Sequence, residues 1–173
     1  MSKLKPPVSA EEQSEGNKHS ENILVEYGDY QCPHCGHAYP LLKRLLEEEG
    51  KNFRFVFRNF PLQEAHPAAF MAACAAEAAG RQGKFWEMHD MIFENQRLLV
   101  KADVFALFAK QLGLNEAKFD TDLNDDAIAK KVDSDFESGI RSGVNGTPTF
   151  FINGEIVDYD TTYESLLYAI EKK

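Results

Sequence analysis

The chain has 173 residues, is 43% apolar, and carries a formal net charge of −9 and three cysteines. That is long enough for one domain with a buried core and too apolar for a disordered chain. Its acidic surface repels nucleic-acid backbones and anionic lipid, so no nucleic acid and no membrane is expected as partner. No apolar run reaches the roughly 20 residues that span a bilayer.

Residues 1–21 are polar, include Pro6-Pro7 and show no hydrophobic period, so they read as a loosely packed N-terminal tail. No apolar stretch follows the two early lysines, which gives a cytoplasmic expectation. A periplasmic or other extracytoplasmic location is the alternative if a leader was removed. "NILVEYGDY" then suits a buried strand. In "CPHCGHAYPLLKRLLEEEG", Tyr39, Leu42, Leu45 and Leu46 recur at helical spacing, Pro40 interrupts, and Gly50 supplies the stop. "NFRFVFRNFP" alternates Phe53, Phe55 and Phe57 with Arg54, Val56 and Arg58, a second strand closed by Pro61.

The middle is helical. The alanine-rich run at 66–82 leads, and segments around 83–96, 101–114, 115–125 and 126–143 follow, none with a strand signal. Strand returns in "TPTFFING" and "EIVDYD", joined across Asn153-Gly154, a strong hairpin signal. An amphipathic helix, "TTYESLLYAIEKK", ends the chain, with Thr161 or Thr162 as its cap. Strands at both ends with helices between imply an α/β fold: one sheet with a helical insertion. The expected division is a core of 22–62 and 144–173 and an inserted helical domain of 63–143.

Chemistry concentrates in "DYQCPHCGHAYP". Cys32 and Cys35 could be a redox pair, part of a zinc site, a haem attachment point or a structural staple. Haem attachment needs histidine directly after the second cysteine, and position 36 is glycine. Zinc needs four ligands, and there is no second cysteine pair. Cys74 stands alone, and His34, His37, His66 and His89 lack ligand spacing. A staple over so short a loop removes little chain entropy. Redox function fits the position best. With Cys32 as N-cap and Pro33 at N1, the unpaired N–H groups of the first turn point at the Cys32 sulfur and favour thiolate. His34 would add to that, and Cys35, one turn further in, would resolve a mixed disulfide. No metal and no organic cofactor is implied. Phe85, Trp86, Met88 and Phe93 read as helix core, and Cys74 as a small buried hydrophobe.

"CPHC" at 32–35, "FRNFP" at 57–61 and "GVNGTPTFFING" at 143–154 together resemble the DsbA-like branch of the thioredoxin-fold superfamily, from about Asn22 to the C-terminus. The resemblance implies a thioredoxin-like core sheet with an inserted helical domain, and a thiol–disulfide oxidoreductase acting on protein thiols or glutathione. It implies Cys32 as nucleophile, Cys35 as resolving thiol, Pro148 as a cis-proline preceded by Thr147 at the substrate strand, and Glu26 as a buried acid beneath the pair. The recycling partner is left open. Alternatives are a zinc-binding module, or a glutathione-dependent transferase or isomerase of the same fold. The second cysteine argues against the latter.

Overall fold

A computed structural model describes residues 2–158 and 160–172. In chain order these residues form β1 (Ser14–Gly16), β2 (Ile23–Gly28), α1 (Pro33–Glu49), β3 (Arg54–Asn59), α2 (Ala69–Gly80) and α3 (Phe85–Glu94). A 3-10 turn at Gln96–Leu98 leads to α4 (Val104–Gln111), α5 (Glu116–Leu123), α6 (Asp126–Arg141), β4 (Thr149–Ile152), β5 (Glu155–Ile156) and α7 (Tyr163–Glu171). The strands form one sheet in the order β1-β3-β2-β4-β5. β2 and β3 pair in parallel, and the other neighbours are antiparallel.

β2 therefore lies in the middle, and everything from Leu24 to Gly28 is buried. Its side chains alternate between two cores. Leu24 packs with Phe55, Phe57, Phe150 and Ile152 against residues of α1, α3 and α7. Val25 and Tyr27 pack with Val56, Phe60 and Phe151 on the opposite face. By this parity Glu26 shares the face of Leu24, which is also the face of Cys32 and Cys35. Eight of the twelve residues of α2 are buried, because its alanines let neighbouring backbones approach closely.

The N-terminal segment departs from the expected loose tail. Leu4 is buried at 8% exposure and its N–H donates to the Gly154 carbonyl at 2.9 Å, while Lys3 forms a bridge with Glu155. The chain then crosses the sheet and adds β1 to the far edge, opposite β3. The reason lies in β3, whose six residues are all buried, arginines included. Arg58 pairs with Glu12 at 2.9 Å and donates to the carbonyls of Pro6 and Pro7 and to the Tyr27 hydroxyl. Arg54 donates to the carbonyl of Ser9 at 3.0 Å. Buried guanidiniums need acceptors, and this polar arm supplies them.

The hairpin turn places Asn153 and Gly154 at φ of 50° and 83°, the left-handed pair that a two-residue turn requires. Its second strand is shorter than the expected 155–160, covering Glu155–Ile156; Tyr159 lies outside the described residues. Thr162 caps α7 by accepting from the Ser165 N–H at 3.1 Å.

Candidate active site

β2 ends at Gly28, and Asp29–Gln31 turn the chain into α1, with Cys32 as N-cap (φ −68°, ψ 125°) and Pro33 in the first turn. Proline costs nothing here, since an N–H at that position would have no helical partner. The Cys32 thiol is held down to a pKa of about 5. The largest cause is a hydrogen bond from the Cys35 thiol. Burial opposes it, and the Thr147 side chain and the main-chain N–H groups of Cys35 and His34 add to it. Cys35 is the opposite case. It is fully buried, and burial, its bond to Cys32 and the charge of Glu26 all push its pKa far up. The Asp29 N–H donates to the Cys35 sulfur at 3.4 Å. Near neutral pH the pair is thus a thiolate beside a thiol.

Cys32 itself is covered, at 3% exposure. The loop before β4 covers it. In the protonated state its thiol donates to the Thr147 carbonyl at 3.6 Å, and the Thr147–Pro148 peptide is cis. A cavity of about 290 Å³ beside this contact is lined by His34, His37, Ala38, Thr147, Pro148 and Thr161. His34 is exposed on its wall.

Glu26 is 2% exposed, and its Oε1 has no hydrogen-bond partner among the described residues. Burial first, and the Cys32 charge second, raise its pKa to about 8. Gly28 leaves room beside it, since a Cβ there would lie 3.1 Å from Oε1 and 2.4 Å from the Phe57 ring. Cys74 sits in α2 at 2% exposure, and burial and then Glu77 push its thiol up to about 11.

Three supports of the site escape sequence reasoning. Gln96, from the 3-10 turn, donates through Nε2 to the carbonyls of both Tyr30 and Cys32 at 2.9 Å. Its Oε1 fills the space a Cβ at Gly36 would occupy, 2.1 Å away. Glycine early in a helix is unfavourable, and that was the available cue to a close approach. The Tyr30 hydroxyl bonds His89 Nδ1 at 2.9 Å, and burial lowers His89 to about 3, so it is neutral among aromatic rings. Asp29 is buried at 1% exposure directly before the motif. Among the described residues no group of three or more His, Cys, Asp or Glu is arranged to hold a metal ion, and no helix is long and apolar enough to cross a membrane.

Residues 9–172 match the protein family described as Thioredoxin (Thioredoxin_4). The chain is 42% identical over 155 residues to the Na(+)/H(+) antiporter NhaA 1 of Salinispora arenicola, covering 90% of this chain and 24% of that protein. A Mycobacterium NhaA 1 is 37% identical over 158 residues, with 26% of its length covered. The chain thus spans about a quarter of the length of these curated relatives. Among solved structures, oxidised BdbD from Bacillus subtilis superposes with a TM-score of 0.80 at 22% identity, covering 93% of this chain and 91% of that one. The thiol-disulfide exchange protein alpha-DsbA2 from Wolbachia pipientis superposes at 0.82 with 24% identity, covering 93% and 86%.

Proposed function

Because this chain belongs to the thioredoxin family and has the DsbA-like form of its fold, we propose that it is a thiol–disulfide oxidoreductase working through Cys32 and Cys35. The observation that carries this reading is the split between the two thiols, one at about 5 and the other far above its ordinary value. The Cys32 thiolate attacks one sulfur of a substrate disulfide. A mixed disulfide forms, and the departing thiolate takes up a proton. Cys35 then gives its proton to a base and attacks the Cys32 sulfur; Glu26 is the buried candidate for that base, because forming the mixed disulfide removes the Cys32 charge that helps keep its carboxyl protonated. The second substrate thiolate leaves, and two electrons have passed from the protein to the substrate. The reverse sequence oxidises a dithiol. In a reducing compartment the stabilised thiolate favours the reduced protein.

The cavity beside Thr147 and Pro148 is where an extended thiol- or disulfide-bearing segment would lie against Cys32. The His34 ring on its wall is placed to donate a hydrogen bond toward the thiolate. His34→Leu keeps the main-chain N–H and is expected to raise the Cys32 alkylation midpoint by about 0.5–1 pH unit. A midpoint unmoved by the substitution would make the ring incidental.

The reading is tested by titrating the pair against reduced and oxidised glutathione and by assaying thiol-dependent reduction of insulin. A single two-electron equilibrium involving Cys32 and Cys35 supports it, and a protein that exchanges with neither ends it. Cys74→Ser is expected to keep the wild-type rate, since that thiol is buried and protonated. Loss of exchange in a folded Cys74→Ser protein would bring Cys74 into the chemistry.

The curated relatives support a second reading. The matching stretch is about a quarter of proteins named as Na(+)/H(+) antiporters, so the redox unit could serve a membrane transporter. Co-sedimentation of the chain with membranes holding such an antiporter is the expected result, and recovery wholly in the supernatant would end this reading.

A further inference from the structure

We propose that Asp29 is the positioning residue of the redox pair: its carboxylate holds the turn that aims the first helical N–H groups at Cys32, and its backbone N–H holds the Cys35 sulfur. The inference rests on the oxidoreductase reading above.

The Asp29 side chain is wholly buried, and each of its oxygens has two partners. Oδ1 accepts from the N–H of Gln31 at 2.8 Å and of Cys32 at 3.1 Å. Oδ2 accepts from the Leu62 N–H at 2.9 Å and meets His66 Nδ1 at 2.8 Å. The residue's own carbonyl also accepts from the Cys32 N–H, at 3.1 Å. A buried carboxylate is costly unless its lone pairs are filled, and here all four contacts fall on the strand-to-helix turn or the loop after β3.

The consequence for Cys32 is geometric. An N-cap residue must leave helical backbone angles while its side chain turns back to accept from the first turn. Cys32 has those angles, at φ −68° and ψ 125°, with the preceding N–H fastened by Asp29. The Gly36 N–H is already spent on the Cys32 carbonyl, and Pro33 has none. That leaves the N–H groups of His34 and Cys35 as the first-turn donors that help hold the Cys32 thiol down. Oδ2 is anchored away from the helix start by Leu62 and His66, so Asp29 does not itself cap those N–H groups in place of the thiolate. Gln31 fastens the same turn to the same loop, its Oε1 accepting from the Ala68 N–H at 2.7 Å.

The titratable groups around the redox pair are Glu26 from β2, Asp29 from the turn, His66 from the loop after β3, and His34 and His37 from α1. Of these, Asp29 also contacts the second sulfur, through its N–H at 3.4 Å from Cys35. Removing the carboxylate frees the turn, so both sulfurs lose alignment together.

The test measures, in full-length reduced protein, the pH midpoint of Cys32 alkylation by peptide mass spectrometry and the equilibrium with glutathione. Asp29→Ala is expected to raise the midpoint by about one unit, and to shift the glutathione equilibrium about tenfold toward the protein disulfide. Asp29→Asn keeps Oδ1 but not the second oxygen, and is expected to move both readouts part of the way. It also decides the matter if the alanine variant does not fold. Asp135→Asn is the comparison, because Asp135 is also a buried acceptor, bonded to the Asn59 N–H at 3.0 Å, but serves another part of the fold. It is expected to lower the melting temperature and leave the Cys32 midpoint in place. Asp29 variants within about twofold of wild type in both readouts, or an Asp135→Asn midpoint shifted as far as that of Asp29→Asn, would overturn the assignment. A wild-type protein with no glutathione equilibrium would instead overturn the oxidoreductase reading, whatever the Asp29 variants do to the alkylation midpoint.

Discussion

Cys32→Ser is expected to abolish disulfide exchange, whereas Cys35→Ser is expected to trap it halfway. A serine hydroxyl stays protonated at neutral pH and does not attack disulfides, and the fully buried Cys35, its pKa pushed far up, cannot replace the lost thiolate. In Cys35→Ser the attacking sulfur remains, though it loses the hydrogen bond that contributes most to its low pKa. It should still react with substrate disulfides, but nothing inside the protein then releases the product. Adducts should accumulate on non-reducing gels and disappear with added thiol. In the wild type, attack should persist down to about pH 5, where Cys32 takes up its proton, and fall below it. Equal adducts from both variants, or none from either, would reverse or remove the assigned order. A zinc site predicts no asymmetry, since each serine removes one ligand.

Glu26→Gln is expected to stabilise the reduced protein by roughly 3 kcal/mol at pH 7. The folded-state pKa of Glu26 is raised from 4.5 to about 8, chiefly by burial. The folded protein therefore holds this proton more tightly than the unfolded chain. The associated stability is fully present below about pH 4.5 and is lost as pH rises through about 8. Glutamine carries no charge to bury, so the variant's stability should lose this slope, and the gap from wild type should widen between those limits. The Cys32 charge supplies the second part of the shift, so the gap should narrow once the pair is oxidised. Denaturant unfolding across pH in both redox states checks this, and parallel pH profiles for wild type and variant would mean that Glu26 is not titrating in the interior. If Glu26 also serves as the base for Cys35, the same substitution should slow release of the mixed disulfide without slowing its formation.

Much of this molecule follows from local sequence. The β-α-β opening, the helices between β3 and β4, the Asn153-Gly154 hairpin and the helix-start position of Cys32 and Pro33 each depend on residues within a few positions of one another. Backbone preference and hydrophobic period suffice to read such features. The proposed order of the two cysteines is of this kind, because the helix start already sets Cys32 apart from Cys35.

What tertiary structure decided are the matters of which face and which partner. The parity of a single strand could not place Glu26; β2 became central and covered on both sides only once β3 and β4 flanked it. The polar N-terminal segment resembled a solvated tail because its partners, Arg54 and Arg58, lie 45 and 46 residues away from Ser9 and Glu12 in the chain. Cys32 turned out covered because the loop at Thr147 returns from 115 residues further on. Asp29, His66 and Gln96 carry no motif of their own. They support the site through hydrogen bonds spanning 37 to 66 positions for Asp29–His66 and Gln96–Tyr30, and a bond across such a span depends on how the sheet and helices close, not on the pattern of residues around either partner.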